Sequence, residues 1–341
     1  MTEAKSSRMN SGHSRGAAGS LVDGVMRFGA LPIILAICLV VFQLGNDRFL
    51  SPMNLTNMSQ QMVFLLLIAL GQMIVLVSGG FDLSVGAVVA LTSVVSAKAM
   101  VAVMALFPEN DALAIAAGFG TALAVGLVCG LINGIGVAVL KVNAFIVTLA
   151  TASIFKGVTL VISQGLQVPG LPRTFVYQIG SGRILGLPTS LVMALPVVAL
   201  VWLAMHHMRL GRYLYAIGSN LRSAVVAGVQ VNRQLLAAYV ICGTITAFSG
   251  WLLTARVSSG EPLLGGEFPL NSIAAAVIGG CSLRGGEGRV PGVILGVIFI
   301  TVLANGMDLL RIGSNYQMIA LGVVLVGAVV LDRYRAARAV R

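Results

Sequence analysis

Apolar runs long enough to cross a bilayer follow one another along almost the whole chain, and they constrain it more than any motif does. Residues 62–78, MVFLLLIALGQMIVLVS, hold no charged side chain. A helix needs about 20 such residues to cross the hydrocarbon, at ~1.5 Å per residue. By that criterion ten spans are predicted, at residues 28–45, 61–78, 83–106, 112–140, 143–163, 189–206, 235–254, 271–282, 290–307 and 315–332, the eighth being the shortest. The expected fold class is therefore an all-α polytopic membrane protein with about ten transmembrane helices. Only 10% of the 341 residues are charged and 57% are hydrophobic, too little polar material to coat a water-soluble domain of this length.

The net charge of +11 invites a nucleic-acid reading, but the basic residues sit in short clusters between apolar runs rather than on one polar domain. That pattern sets topology and predicts no nucleic-acid partner. With the N-terminus inside, 15 Lys and Arg fall in cytosolic segments and five outside, so both termini are expected in the cytosol. Residues 1–27 carry Lys5, Arg8, Arg15 and Arg27 and precede an apolar run without a small-residue cleavage site, which reads as a retained cytosolic tail. Residues 28–332 then form a single transmembrane domain, and residues 333–341 a second, basic cytosolic tail. The two largest non-apolar segments fall on opposite sides: 164–188, rich in Gly and Pro, outside, and 207–234 in the cytosol. Neither is long enough to fold alone, so soluble work falls to partner proteins, and lipid surrounds the rest. Cys38, Cys129, Cys242 and Cys281 show no C-x-x-C spacing, and His13, His206 and His207 complete no ligand set with them. No disulfide, metal or cofactor is expected.

One helix carries Gly126, Gly130 and Gly134 at every fourth position, a smooth stripe on which a neighbouring backbone can lie. A different role attaches to the stretch VSGGFDLSVGAVVAL, residues 77–91, which sets a carboxylate between two apolar runs. One reading is a tight surface hairpin in which Gly79 and Gly80 make the turn and Asp82 caps a helix beginning at Leu83. The other draws the junction inward as a broken or re-entrant helix, presenting a helix N-terminus, Asp82 and Ser84 to a polar pathway, since irregular backbone at depth is tolerated only against protein or water. An isolated carboxylate at the bilayer centre costs ~2.5–3.5 kcal/mol on insertion scales. Physics alone leaves both readings open. A second pair, Gly279 and Gly280 with Leu283, repeats the spacing of Gly79, Gly80 and Leu83, as an internal repeat or by chance in a chain with 41 glycines.

In the cytosolic segment, Leu221, Ala224, Val225, Gly228 and Val229 recur at helical spacing after a break at Gly218, Ser219 and Asn220. They predict an amphipathic helix of about two turns, capped by Ser219 or Asn220, that lies in the headgroups or docks into a partner's groove.

Taken in order, these motifs resemble the membrane permease subunit of bacterial ABC importers for monosaccharides of the ribose, xylose and arabinose type. GGFDLSVGA (79–87), GRYLYAIGSNLRSAVVAGV (211–229) and IAAAVIGGCSLRGGEGRVPG (273–292) are similar to that family's signature after the second span, its cytosolic coupling segment and its late glycine-rich signature. LATASIFKGVTLVISQG (149–165) and LPRTFVYQIGSGRILGLP (171–188) also follow the pattern, and the likeness runs from about residue 30 to 332. Cys281 and Arg284 depart from it, standing where a small polar and an aromatic or apolar residue are expected. The resemblance implies two permease copies, an ABC ATP-binding subunit that drives them, and a periplasmic sugar-binding protein meeting segment 164–188, all at the bacterial inner membrane. It implies a substrate pathway at Gly79, Gly80, Asp82, Ser84, Asn133 and Asn271. Docking to the ATPase falls to Gly211, Arg212, Ala216, Gly218, Asn220, Leu221, Ala224, Val225 and Gly228. Lys156 matches a basic position of the family pattern near the outer end of its span, while Lys98 can snorkel to the headgroups.

The chain itself holds no G-x-x-x-x-G-K-[ST] phosphate loop, so energy arrives from another chain or from an ion gradient. It shows no nucleophile and base pair, which argues against an enzyme. A sugar is uncharged and rich in hydroxyls, and the sparse polar inventory of the spans (Asp82, Ser84, Asn133, Asn143, Ser163 and Asn271) suits it. Two alternatives stay in play: a branched-chain amino acid permease of the same kind, and an ion-coupled secondary carrier with Asp82 as its only intramembrane carboxylate.

Overall fold

The computed structural model describes residues 31–339. The polar tail 1–27, the first residues of the first expected span and the last two residues of the basic tail lie outside the described residues. The helices in order are α1 (Leu31–Gly45), α2 (Pro52–Val77), α3 (Val85–Leu106), α4 (Asp111–Gly134), α5 (Ala144–Ser163), α6 (Thr189–His206), α7 (Arg209–Ser219), α8 (Leu221–Val226), α9 (Val231–Val257), α10 (Phe268–Ile278), α11 (Val290–Leu309) and α12 (Ser314–Ala339). Seven of them are long and apolar enough to cross a membrane: α2, α3, α4 with its π-helical extension Ile135–Val139, α5, α6, α9 and α11. The other three expected spans fall on α1, with 15 residues, on α10, with 11, and on α12.

Helix starts follow their caps. Ser51 accepts the Asn54 N–H ahead of α2, whose first residue is Pro52; Asn110 accepts the Leu113 N–H ahead of α4; Asn143 accepts the Phe145 N–H ahead of α5. The most buried helix is α2, with an unbroken buried run from Val63 to Val77, so the chain wraps its other helices around it. The stripe of small residues does what its spacing predicts: an added methyl at Gly126 would sit 2.6 Å from Ala247 Cβ, and one at Gly130 2.6 Å from the Tyr239 carbonyl oxygen, so α4 and α9 lie backbone to backbone.

Two departures from the all-α expectation lie in segment 164–188. It contains a π-helical turn, Phe175–Gly180, and a two-stranded antiparallel hairpin, Arg183–Ile184 with Leu187–Pro188. Val168 also pairs with Gly260 in an isolated bridge. Gly and Pro density signals the turns but not these local pairings.

The ends of the bundle are set by contacts. The last turn of α2, α7 and the loop 279–289 meet at one end, called the lower end below. From there α3, α5, α9 and α11 run upward, and α4 and α6 connect back. Between α9 and α10 the chain descends along α3: Glu261 N–H donates to Ser93 Oγ (3.0 Å), and Gly265 lies against Gly86 and Val89. As a result α10 begins inside the bundle beside the first turn of α3 and runs only to the lower end, which is why this apolar segment is half the length of a span.

Replacing Gly130 with Val should force α4 and α9 apart and destabilise the protein by about 1–3 kcal/mol. A lowered melting temperature in detergent, measured beside Gly120→Val, which faces open space, checks this; equal melting of the two variants would contradict it.

Candidate functional site

After Val77 the chain leaves the helix and doubles back. Gly79 adopts φ +85°, the left-handed region that favours glycine, and the Gly80 N–H returns to the Val75 carbonyl (3.0 Å). Gly80 is held to glycine by contact instead, since a Cβ would lie 2.6 Å from the Tyr239 hydroxyl. Residues 80–84 then run without regular structure alongside α2, and α3 begins at Val85, two residues later than the sequence suggested.

Such backbone would be orphaned at membrane depth, and side chains satisfy it. In the amide orientation that suits both partners, Gln72 donates to the Asp82 carbonyl (3.1 Å) and accepts the Asp82 N–H (3.2 Å). Tyr239 donates its hydroxyl to the Phe81 carbonyl (3.1 Å). The Asp82 carboxylate accepts the Ser84 N–H (2.8 Å) and the Ser84 hydroxyl (2.6 Å). Asn133 Nδ2 donates to Ser84 Oγ (2.8 Å) and approaches both carboxylate oxygens (3.4 and 3.5 Å), while Thr151 donates to Asn133 Oδ1 (2.6 Å). Five helices thus meet at one polar cluster. The cap expected at Asp82 is not formed, since Ser84 is the residue before α3 and the Asp82 carboxylate accepts its N–H from two residues upstream; Asp82 is 1% exposed, buried within the protein.

Of the sequence-derived pathway residues, Gly79, Gly80, Asp82, Ser84 and Asn133 come together here. Asn271 does not join them; it lies half-buried in the first turn of α10. Asn143 and Ser163 serve the two ends of α5, as its cap and through a bond to Leu160 O. Sequence reasoning missed Gln72, Thr151 and Tyr239. Gln72 carried a signal, an amide inside a charge-free apolar run. So did Thr151, which shares helical spacing with Thr148, Thr159 and Ser163, all buried.

The segment 207–234 contains more helix than the periodicity disclosed. Before α8 comes α7, buried through Gly211, Leu214 and Ile217, with Arg212 and Ala216 exposed. Asn220 caps α8 by accepting the Ser223 N–H (3.0 Å). The short helix ends at Val226, and Gly228, at φ +79°, turns the chain toward α9. Ala224 is buried, whereas Leu221, Val225 and Val226 stand 51%, 57% and 89% exposed.

Three glycine signatures touch at the lower end. The Gly286 N–H donates to the Val77 carbonyl (2.8 Å), the last of α2. A methyl on Gly218 would overlap that carbonyl and the Gly286 nitrogen, and one on Gly285 would sit 2.8 Å from Gly79 Cα and 3.0 Å from Gly218 Cα. Tyr215, on α7, donates to the Gly288 carbonyl (2.6 Å); burial, then the neighbouring Cys281, push its phenol up to about 12, so it stays a donor at neutral pH. The two glycine pairs are not conformational copies: positive φ falls on Gly79 in one and on Gly280 in the other.

Residues 54–329 match the family described as branched-chain amino acid transport system / permease component. The chain belongs to this permease family. It is 38% identical to the ribose import permease protein RbsC of Bacillus subtilis, across 92% of this chain and 95% of that one. It is 37% identical to the D-allose transport system permease protein AlsC of Escherichia coli (88% and 90%), and 35% identical to the galactose/methyl galactoside import permease protein MglC of the same organism (92% and 96%). No solved structure matches. The permease is thus a multi-pass membrane protein and a transport component rather than an enzyme, as the motifs indicated.

Changing Asn133 to Leu removes the donor to Ser84 Oγ and the acceptor of the Thr151 hydroxyl, which keeps only the Thr148 carbonyl (3.2 Å). The expected loss is about 1–3 kcal/mol, read as a lower melting temperature in detergent with insertion retained; a variant as stable as the parent would show that the cluster does not hold the junction.

Proposed function

We propose that the permease moves a monosaccharide across the bacterial inner membrane as the spanning subunit of an ATP-driven importer, with both termini in the cytosol. The observation that carries this is its likeness, over about nine-tenths of the chain, to permeases named for ribose, allose and galactose. The family description names amino acids, but the individual relatives name sugars, and the scarcity of charge in the spans suits an uncharged solute. In this reading the lower end faces the cytosol, residues 28–332 act as one domain of ten spans, counting α1, α10 and α12, and two copies enclose the pathway.

The exposed apolar side chains Leu221, Val225 and Val226 support docking of an ATP-binding subunit on α8. Gly211, Arg212, Ala216, Gly218, Asn220, Ala224 and Gly228 shape or flank that surface. Movement of α7 reaches the junction directly, because Gly218 bears on the Val77 carbonyl where α2 breaks. Gly79, Gly80, Asp82, Ser84 and Asn133 then form the hinge beside the solute route, with Asn271 on α10 across from it. Segment 164–188, at the other end, receives a sugar-loaded binding protein.

Gentle purification of the tagged permease from its native membranes should bring down a stoichiometric ATPase, and Leu221→Asp with Val225→Asp should release it. An ATPase-free preparation that moves solute in liposomes under an ion gradient would replace this reading with a secondary carrier.

Asp82→Asn should impair uptake while leaving the protein in the membrane, because with the amide oxygen kept on the Ser84 donors the new nitrogen faces the Asn133 amide donor. The check is initial uptake of labelled sugar normalised to membrane content; unchanged uptake removes the junction from the transport step.

A further inference from the structure

Charged residues are rare inside the seven long spans. Away from span ends only Lys98 and Lys156 remain, and both are exposed. Their depths differ. The bonds joining Ser84, Asn133 and Thr151 fix one level shared by α3, α4 and α5. At ~1.5 Å per residue, Lys98 stands roughly 20 Å above that level, near the top of α3. Lys156 stands only about 7 Å above it and about 10 Å below Ser163, the last residue of α5.

The face that Lys156 occupies is not a lipid face in composition. Helical spacing divides the exposed surface of α5 into two strips. Ile154, Val158 and Val161 form one, all branched and apolar. Ser153, Lys156 and Gly157 form the other, which passes half-buried Leu160 and reaches exposed Gln164 and Gln167 beyond the helix. Below Ser153 the polar strip gives way to exposed Phe145, Ile146 and Leu149. Within the chain α5 packs chiefly on α3 and α4, through its opposite face. No carboxylate forms a salt bridge with Lys156 among the described residues, so within the chain the ammonium has no counter-ion.

We propose that the Ser153, Lys156 and Gly157 strip is a wall of the water-filled solute route, closed on its far side by the second copy of the chain, and that Lys156 donates hydrogen bonds to the hydroxyls of the passing sugar. The assignment of the solute rests on the sugar-importer reading above; the wetting of the strip does not. An ammonium offers three donors and no acceptor, which matches the lone pairs of an uncharged polyol without holding it by charge. The apolar residues beneath form the closed end of the route, against which the sugar waits.

The test uses the full importer in proteoliposomes, with Cys38, the half-exposed native cysteine, changed to Ala. Single K156C, S153C, I154C and V158C variants are treated with a charged, membrane-impermeant methanethiosulfonate, which reacts with thiolate and therefore only in water. The proposal expects K156C and S153C to react at least roughly tenfold faster than I154C and V158C, since lipid suppresses ionisation of the thiol. Equal, slow reaction at all four positions would place the strip against lipid or in a dry interface and overturn it. In parallel, K156M should lower initial sugar uptake roughly tenfold, the usual worth of one hydrogen bond from a charged donor, with K156Q retaining more. Uptake by K156M equal to that of the parent would overturn the contact with solute. If the unaltered importer takes up no monosaccharide while K156C still reacts fast, the sugar reading fails and the proposed role of Lys156 toward a sugar falls with it, leaving the wetted strip supported.

Discussion

Everything at the lower end depends on one constraint: a helix that breaks inside a membrane protein must find partners for its freed backbone. Here α2 stops at Val77 and seven residues pass before α3 begins, and those residues fold back into the bundle rather than across its surface. Gln72 pairs with both backbone groups of Asp82 in the way a neighbouring strand would, and Tyr239 takes the carbonyl of Phe81. The Asp82 carboxylate closes the arrangement by taking up donors at the foot of α3 that no helical carbonyl can reach. Removing the side chains would leave the break untenable; removing the break would leave a carboxylate, two amides and three hydroxyls buried without purpose.

The same break makes the junction a place where force can be applied. A continuous helix resists local rotation through its own hydrogen bonds, whereas residues 78–84 are held by side chains that can exchange partners. Against this element rests a contact of backbones: Gly79, Gly218 and Gly285 meet with no side chain between them, so a displacement of α7 is not absorbed by rotamer changes. Larger residues would provide more van der Waals contact but also more compliance. Glycine at all three positions brings backbone against backbone, and the hydrogen bonds from Gly286 to Val77 and from Tyr215 to Gly288 fix the register.

Much of this was legible in the sequence, and the pattern of what was not is instructive. Span positions follow from apolar run length, and Thr189–His206 is recovered to the residue. Asn220 as a cap and the packing stripe at Gly126 and Gly130 follow from local chemistry. The contact between the junction, the coupling segment and the late glycine loop was not legible, because hydropathy and spacing describe each segment against its neighbours in the chain and carry no information about pairs 140 or 200 residues apart. For the same reason Tyr239 gave no signal: a tyrosine on a long helix looks like packing until its hydroxyl is seen to reach Phe81. The hidden helix α7 is a different failure. Its buried face is made of Gly211, Leu214 and Ile217, and Gly218 read as a break, although both glycines lie in close backbone contact.

Asp82 at the junction and Lys156 within α5 show how a chain so poor in charge can use each differently. Asp82 is surrounded by donors of its own chain, so its charge is spent on holding the backbone and little remains for a solute. Lys156 has no such ring of acceptors and is exposed. A buried charge that is satisfied internally stabilises one conformation, and an exposed charge at depth has to be satisfied from outside the chain. That asymmetry separates the part of the polar inventory that builds the hinge from the part left over to meet what passes through.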